Sequence, residues 1–201
     1  MDGMLPERVA PILHSVRYWR HKEQFLLETD THDAWMMFAV ESGSFRYDIA
    51  GNKGIAGRGD LVFCPPFTPF KRTVLKPLTF FAFNLAFAAA DSDERAEPGP
   101  AAETRRLHSP GEWPSGKVTI RDVQRLFSDF DYLRAIWELG EPTYVRRKEY
   151  LLQDIWRLYG WETDAARQTA KAKNDPLMER AERLIREGAH EAFSMKELAG
   201  R

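Results

Sequence analysis

The stretch WMMFAVESGSFRYDIAGNKGIAGRGDLVFCPP, residues 35–66, decides the fold. Its apolar runs are short and rich in aromatic and β-branched residues, which is typical of β-strands. Gly43 predicts a turn between two strands, and residues 50–54 predict a second hairpin turn, because glycine and asparagine tolerate positive φ. The proline pair at 65–66 predicts the end of the strand over 61–64, since proline cannot donate a hydrogen bond to a ladder.

Runs of the same kind lie on both sides of this stretch, over residues 12–19, 25–30 and 78–87. Many short strands at close spacing are typical of a sandwich or barrel and not of an alternating α/β fold. We therefore expect residues 1–90 to form a mainly β domain, either a sandwich or a barrel.

The hydrophobic period changes in the second half of the chain. Residues 91–118 are rich in Ala, Glu, Pro and Ser and predict a linker or mobile loop. Residues 119–160 predict an antiparallel αα-hairpin that ends at Gly160, followed by a linker over 161–174. The apolar stripe of the hairpin can pack on the β domain, on a second copy of the chain, or on both. This stripe contains Leu126, Phe130, Leu133, Trp137, Leu151, Ile155 and Tyr159.

Composition excludes several classes of protein. The chain has 201 residues, 29 Lys and Arg against 30 Asp and Glu, and a formal net charge of −1, so its surface as a whole is not a nucleic-acid-binding surface. Its single cysteine, Cys64, excludes an internal disulfide and a multi-thiolate zinc site. No apolar run reaches the roughly 20 residues of a membrane span, and the N-terminus lacks the pattern of a signal peptide. These features predict a cytoplasmic protein without a membrane partner.

The last segment, residues 175–201, has two helix-start signals. Asp175 and Pro176 provide an N-cap and a proline at the first helical position. Ser194 and Glu197 have the spacing of a capping box. Together with the Gly-Asp turn and proline pair at 59–66 and the helical hairpin, this order of parts resembles the arabinose-regulator family of transcription regulators.

The resemblance implies the fold and function of each part. Residues 1–90 would be a cupin-like effector-binding barrel, 119–160 a dimerising hairpin, and 175–201 the incomplete start of a helix-turn-helix domain. The chain would be the ligand-sensing and dimerisation portion of a bacterial regulator, with a small-molecule effector such as a sugar. DNA would be read only by helices beyond Arg201, because base readout needs the second helix of the motif. On this reading the chain has no cofactor and is not an enzyme.

A metal-dependent cupin enzyme, such as an isomerase or dioxygenase, is the alternative. Such enzymes hold a metal with two or three histidines and a carboxylate. Here His32 has no His-x-His partner, Glu41 is the only carboxylate within its run, and Phe70 stands where a histidine ligand is usual in cupins. We therefore expect no metal site and no catalytic residue.

An effector site should combine apolar walls with a few polar groups. The alternation of residues 35–41 leaves open which face lines the barrel: Trp35, Met37, Ala39 and Glu41, or Met36, Phe38 and Val40. Polar residues in or beside apolar strands, and aromatic residues of these strands, are the candidates for effector binding: His32, Arg46, Asn84, Phe38, Tyr47 and Phe83. Cys64 is expected to be a core residue, and the basic residues 146–148 to form a solvated helix face.

Overall fold

The computed structural model describes residues 9–89, 113–173 and Arg180. Except for Arg180, the predicted start of a DNA-binding domain at 175–201 lies outside the described residues, as does most of the predicted linker at 91–118. The described residues form seven strands and two helices: β1 (Val9–Lys22), β2 (Thr29–Asp30), β3 (Trp35–Ile49), β4 (Asn52–Gly57), β5 (Asp60–Cys64), β6 (Phe70–Ala89), β7 (Gly116–Thr119), α1 (Val123–Ile136) and α2 (Pro142–Lys173).

The strands form one antiparallel sheet in the order β1-β6-β3-β5-β7, with β2 paired to β6 and β4 paired to β3. The predicted hairpin turn is confirmed at Ala50 and Gly51, and β5 ends at Cys64 just before the proline pair, as expected. The run over 25–30 is mostly irregular, and only Thr29 and Asp30 join the sheet.

The sheet rolls up on itself. Phe38 and Phe45 are seven residues apart on β3, which would separate them by about 23 Å in a straight strand. Their ring centroids are only 5.8 Å apart, and the ring of Phe70 lies 5.1 Å from that of Phe38. The parts of β3 before and after Gly43 therefore face each other across the inside of a roll. We call this rolled sheet the barrel.

Gly43 bends β3 and does not end it, so the prediction of a turn there is wrong. The pairing of β3 with β6 is irregular between Val40 and Phe45, and Gly43 has φ +80°. A Cβ atom at Gly43 would lie 2.0 Å from the backbone oxygen of Pro77. Positive φ suits a β-bulge as well as a turn, so composition alone does not separate the two.

Alternating residues of the strands form two separate cores. The inner core lies inside the barrel and contains Met36, Phe38, Val40, Phe45, Tyr47, Ile49, Ala56, Val62, Cys64, Phe70, Leu78, Phe80 and Ala82. The helix-side core joins the outer face of the sheet to the helices, and its largest members include Trp35, Met37, Leu61, Phe63, Phe81, Phe83, Phe130, Leu133, Ile155 and Trp156. Of the two faces that the sequence allows for β3, the one with Met36, Phe38 and Val40 lines the inside of the barrel.

The helices pack as an antiparallel pair. Asp122 caps α1 by accepting a hydrogen bond from the backbone N–H of Arg125, and the Arg125 guanidinium donates to Asp154 of α2 at 2.7 and 3.1 Å. Lys148 donates to the backbone oxygens of Trp137 and Leu139, each at 2.7 Å. Lys148 is therefore a buried cap for the end of α1, and the expected solvated position is wrong for this residue. No helix in the described part of the chain is long and apolar enough to cross a membrane.

The predicted end of the second helix at Gly160 is also wrong. α2 continues to Lys173, so the predicted linker over 161–174 is helical through residue 173. Gly160 is buried, and packing outweighs the roughly 1 kcal/mol that glycine costs inside a helix. The chain divides into two compact units, residues 1–162 and 163–201, and α2 crosses this division.

The predicted linker over 91–118 contains the start of a strand. β7 pairs with β5, and Asp60 holds this pairing in place. The Asp60 carboxylate accepts hydrogen bonds from the Gly57 N–H at 2.8 Å and the Thr119 hydroxyl at 2.5 Å, and it lies 3.5 Å from the Lys117 ammonium. The Gly-Asp turn thus has a structural role that local composition around residue 116 does not reveal.

The residues predicted to form a dimer interface are used within the chain. Leu126, Phe130, Leu133 and Ile155 are completely buried in the helix-side core. Partly buried residues packed on the same core include Trp137, Leu151 and Tyr159. The stripe therefore packs on the barrel, and dimerisation through its partly buried members stays a prediction.

Candidate functional site

Three neighbouring strands, β1, β6 and β3, turn alternate residues toward the inside of the barrel. Pairing places these residues in three cross-strand rows. The rows are Ser15 with Asn84 and Met36, Arg17 with Ala82 and Phe38, and Trp19 with Phe80 and Val40.

These rows form one wall of a cavity of about 420 Å³. Val40 is excluded from that wall, and all other members of the rows line it. The other lining residues come from the end of β1, the segment that leads into β2, β2 itself, the segment after β2 and the start of β6: Lys22, Phe25, Leu26, Leu27, Asp30, His32 and Arg72. The volume lies in the range of small-molecule sites.

Arg72 is the most deeply buried charged residue of the cavity wall, with 8% of its surface exposed. Its guanidinium lies over three aromatic rings, at 4.9 Å from Phe25, 5.0 Å from Phe70 and 5.5 Å from Phe38. It donates a hydrogen bond to the Asp30 carboxylate at 3.2 Å. Burial lowers the pKa of Arg72, and the nearby Asp30 charge opposes that shift.

Asp30 lies between two nitrogen-bearing side chains. Nε2 of His32 is 3.4 Å from the same Asp30 oxygen that accepts from Arg72, but without the alignment of a hydrogen bond. Three buried atoms in the cavity wall have no hydrogen-bond partner in the structure: Nε2 of His32, Nε of Arg72 and Oδ1 of Asn84. Buried polar atoms without partners are rare, and a cluster of them on one cavity is typical of a place where a ligand or water completes the set.

The structure brings together three of the predicted effector-binding residues, since His32, Phe38 and Asn84 all line the cavity. The other three are placed elsewhere: Arg46 is exposed, Tyr47 is buried in the inner core beyond the cavity, and Phe83 belongs to the helix-side core. Adjacent residues of a strand point to opposite faces, so Phe83 cannot share a wall with Asn84.

Arg72, Asp30 and Arg17 also line the cavity, although they are not among the residues predicted from the sequence. Arg72 has a detectable signal, because it alternates in phase with Phe70 and Val74 on one strand. Arg17 has none, since an irregularity in the pairing between Leu13 and Ser15 shifts the alternation of β1.

The two candidate metal ligands lie on opposite sides of the sheet. His32 lines the cavity, whereas Glu41 accepts a hydrogen bond from the Tyr18 hydroxyl at 2.7 Å and pairs with Arg134 of α1. Among the described residues, no three of His, Cys, Asp and Glu are grouped so that they could hold a metal ion. Cys64 is buried in the inner core, and burial raises the pKa of its thiol to about 12.

Neither protein-family models nor curated protein sequences give a match to this chain. Among solved structures, it is similar to a cupin superfamily protein of Desulfitobacterium hafniense, with 8% identity over 39% of this chain and 77% of that one, at a TM-score of 0.32. A cupin protein of Bacteroides fragilis is 16% identical over 48% and 75% of the two chains, at a TM-score of 0.29. A variant of Bacillus subtilis oxalate decarboxylase is 21% identical over 38% of this chain, at a TM-score of 0.29, and the match spans only 21% of that enzyme.

Proposed function

We propose that the barrel is a sensor that binds a small molecule in the cavity that β1, β6 and β3 form with the side chains of Phe25 and Arg72. The observation that carries this proposal is the cavity itself, which combines aromatic walls with the convergent polar groups of Asn84, His32 and Arg72. This combination is characteristic of small-molecule sites.

The same strands connect the cavity to the helices. Phe38 lines the cavity, while its neighbours Met37 and Ala39 belong to the helix-side core. A ligand that binds two arrangements of the barrel with different affinity shifts the balance between them, and the helices would report that shift. The contacts of Glu41 with Tyr18 and Arg134 give this coupling a polar element.

The output in this proposal is transcription. The chain would be the sensing and dimerisation portion of a regulator that resembles the arabinose-regulator family, with DNA contacted by a helix-turn-helix domain. Because the predicted stripe is used inside the chain, a homodimer would use the outer side of the hairpin, where the exposed large side chains are Tyr132, Leu139, Val145 and Tyr150. Sedimentation velocity at micromolar concentration tests this, and a monomer under all conditions, with or without ligand, contradicts it.

Ligand binding is tested by thermal shift and calorimetry with a panel of small sugars and small organic acids. Ala82→Phe should abolish the response, because the new ring fills the space between Arg17 and Phe38. Ala86→Phe is the matched control on the same strand outside the cavity wall, and it should keep the response. Binding that is equal in both variants would show that the cavity is not the site.

The regulatory role needs a separate measurement. Transcript levels in cells with and without the gene should differ for a small set of genes, and the difference should depend on the compound that shifts the melting temperature. Unchanged transcripts under saturating ligand would contradict the regulatory part of the proposal and leave ligand binding intact.

A further inference from the structure

The charges of the cavity wall are unbalanced. Of the described residues that line it, Arg17, Lys22 and Arg72 are cationic, and Asp30 is the only carboxylate. Lys22 is held at the cavity by the ring of Trp19, with its ammonium 4.1 Å from the ring centroid. A concave site with an excess of like charge and low-dielectric walls concentrates ligands of the opposite sign.

Arg72 sets the chemistry of the deepest part of this wall. A buried guanidinium is stabilised only when its donors and its charge are compensated, and here Asp30 accepts one hydrogen bond while Nε has no partner. The three aromatic rings fix the plane of the guanidinium. A fixed, planar guanidinium is suited to a carboxylate, which can accept two parallel hydrogen bonds.

The rest of the wall is apolar. Trp19, Phe25, Phe38 and Phe80 supply aromatic surface, and Leu26 and Leu27 are exposed to solvent beside them. Aromatic and aliphatic surface of this kind suits a ligand body that carries few hydroxyl groups. A neutral sugar would leave the positive excess uncompensated.

We propose that the effector is an organic carboxylate with an apolar or aromatic body, held by the cationic wall of Arg17 and Arg72 with its body against Phe38 and Phe80. This inference rests on the proposed ligand-binding function and specifies its ligand class. Asp30 acts as an internal competitor for Arg72, because it occupies one of the donors that the ligand carboxylate would use.

The test uses isothermal titration of the full chain with matched probes. Phenylacetate and hexanoate are the carboxylates, phenylacetamide and hexanamide are their neutral counterparts, and L-arabinose represents the sugars. We expect the carboxylates to bind at least tenfold more tightly than their amides and to lose affinity as salt is raised. Amides or arabinose that bind as tightly as the carboxylates overturn the inference and leave the sensor function standing. If none of the probes binds up to about 10 mM, far weaker than the micromolar range that small ligands reach, both are overturned.

Variants assign the effect to the cavity. Arg17→Gln should weaken phenylacetate binding at least fivefold, while the matched control Arg46→Gln, on the exposed side of β3, should leave it unchanged. Asp30→Asn should tighten phenylacetate binding severalfold, because it frees Arg72 and increases the positive excess. Arg72→Gln should abolish phenylacetate binding, because it removes the guanidinium that Asp30 and the three rings hold in place. Should that variant fail to fold, Asp30→Asn still decides, because unchanged or weaker phenylacetate binding in Asp30→Asn overturns the inference.

Discussion

The two faces of β3 and β6 differ in how they are covered: the outer face packs on helices, and the inner face borders an open cavity. On the outer side, Phe81 meets Phe130 of α1 at a ring distance of 5.3 Å, and helices close the core. On the inner side, the ring centroids of Phe38 and Phe80 are 4.7 Å apart, and the Arg72 guanidinium lies 5.5 Å from the Phe38 ring. All three side chains line the open cavity. Alternate residues of the same strands thus serve stability on one side and are left available for binding on the other.

The largest effect is expected from the closed side. Phe130→Ala removes a completely buried ring from the helix-side core and should lower the free energy of unfolding by about 3–5 kcal/mol in urea titrations. Gln124→Ala, on the exposed side of the same helix, should change it by less than about 0.5 kcal/mol. Equal effects of the two substitutions would mean that α1 does not pack on the sheet as described.

The bend in β3 can be tested at Gly43. Gly43→Ala should destabilise the chain by about 2–4 kcal/mol, because it adds a clash with the backbone of Pro77 to the cost of positive φ. Gly51→Ala is the control, since Gly51 also has positive φ but has open space around its Cβ position, and it should cost only about 1–2 kcal/mol. Chemical denaturation gives the free energy of unfolding of both variants. The difference between their losses measures the clash with Pro77, since both positions share the cost of positive φ.

Asp129, on the helix side, is an ionisable group that works against stability. Asp129 has 6% of its surface exposed, and burial, with the nearby charge of Asp154, raises the pKa of its carboxyl from 3.8 to about 7. The folded state therefore holds its proton more tightly than the unfolded state, so stability is lost as pH rises from about 4 to about 7.

Replacing Asp129 removes this loss. Asp129→Asn should raise the free energy of unfolding by about 1–3 kcal/mol at pH 8, and the gain should shrink toward pH 4. Asp131→Asn, an exposed neighbour on the same helix, should show no such pH-dependent gain. Melting temperatures measured from pH 4 to pH 8 provide the comparison, and a gain that does not depend on pH would contradict the raised pKa.

The smallest effect is expected where the sheet meets α1 through polar groups. Tyr18→Phe keeps the ring stacked on Phe81 and removes the hydrogen bond to Glu41, so it should cost about 1 kcal/mol. Thermal unfolding measures this loss. The same substitution should also change affinity at the cavity slightly, because the proposed coupling includes this hydrogen bond, and an unchanged affinity would remove Tyr18 from the coupling.

Sequence patterns predict the parts of this molecule that depend on local chemistry. The β-rich first half, the turn at Ala50 and Gly51, the strand end at the proline pair and the paired helices all follow from residue types and period. The parts that depend on long-range packing do not: Gly43 bends a strand because Pro77 approaches it, and α2 passes Gly160 because that glycine is buried.

The cavity could be predicted only in part for the same reason. His32 and Asn84 are polar residues in or beside apolar strands, and Phe38 is an aromatic residue of one, so all three could be selected from the sequence. Which of two neighbouring residues faces the inside of the barrel depends on the register with a partner strand, and the sequence does not show that register. Arg72 and Asp30 lie 42 positions apart, and their pairing arises only when β2 docks on the start of β6.

The irregularities in the pairing of β1 determine at which positions a residue can be deleted from this strand. Leu13 pairs with Leu85 and Ser15 with Asn84, so His14 is an extra residue with no partner position on β6. Deleting His14 would leave a ladder without interruption from Val9 to Trp19, with every later residue of β1 on its present side, whereas deleting Val16 would exchange the cavity-lining and helix-facing sets. Tolerance of β1 to single-residue deletions should therefore be concentrated at His14 and at residues 20–21, where β1 also has one residue more than β6; these positions are solvent-exposed and outside both cores.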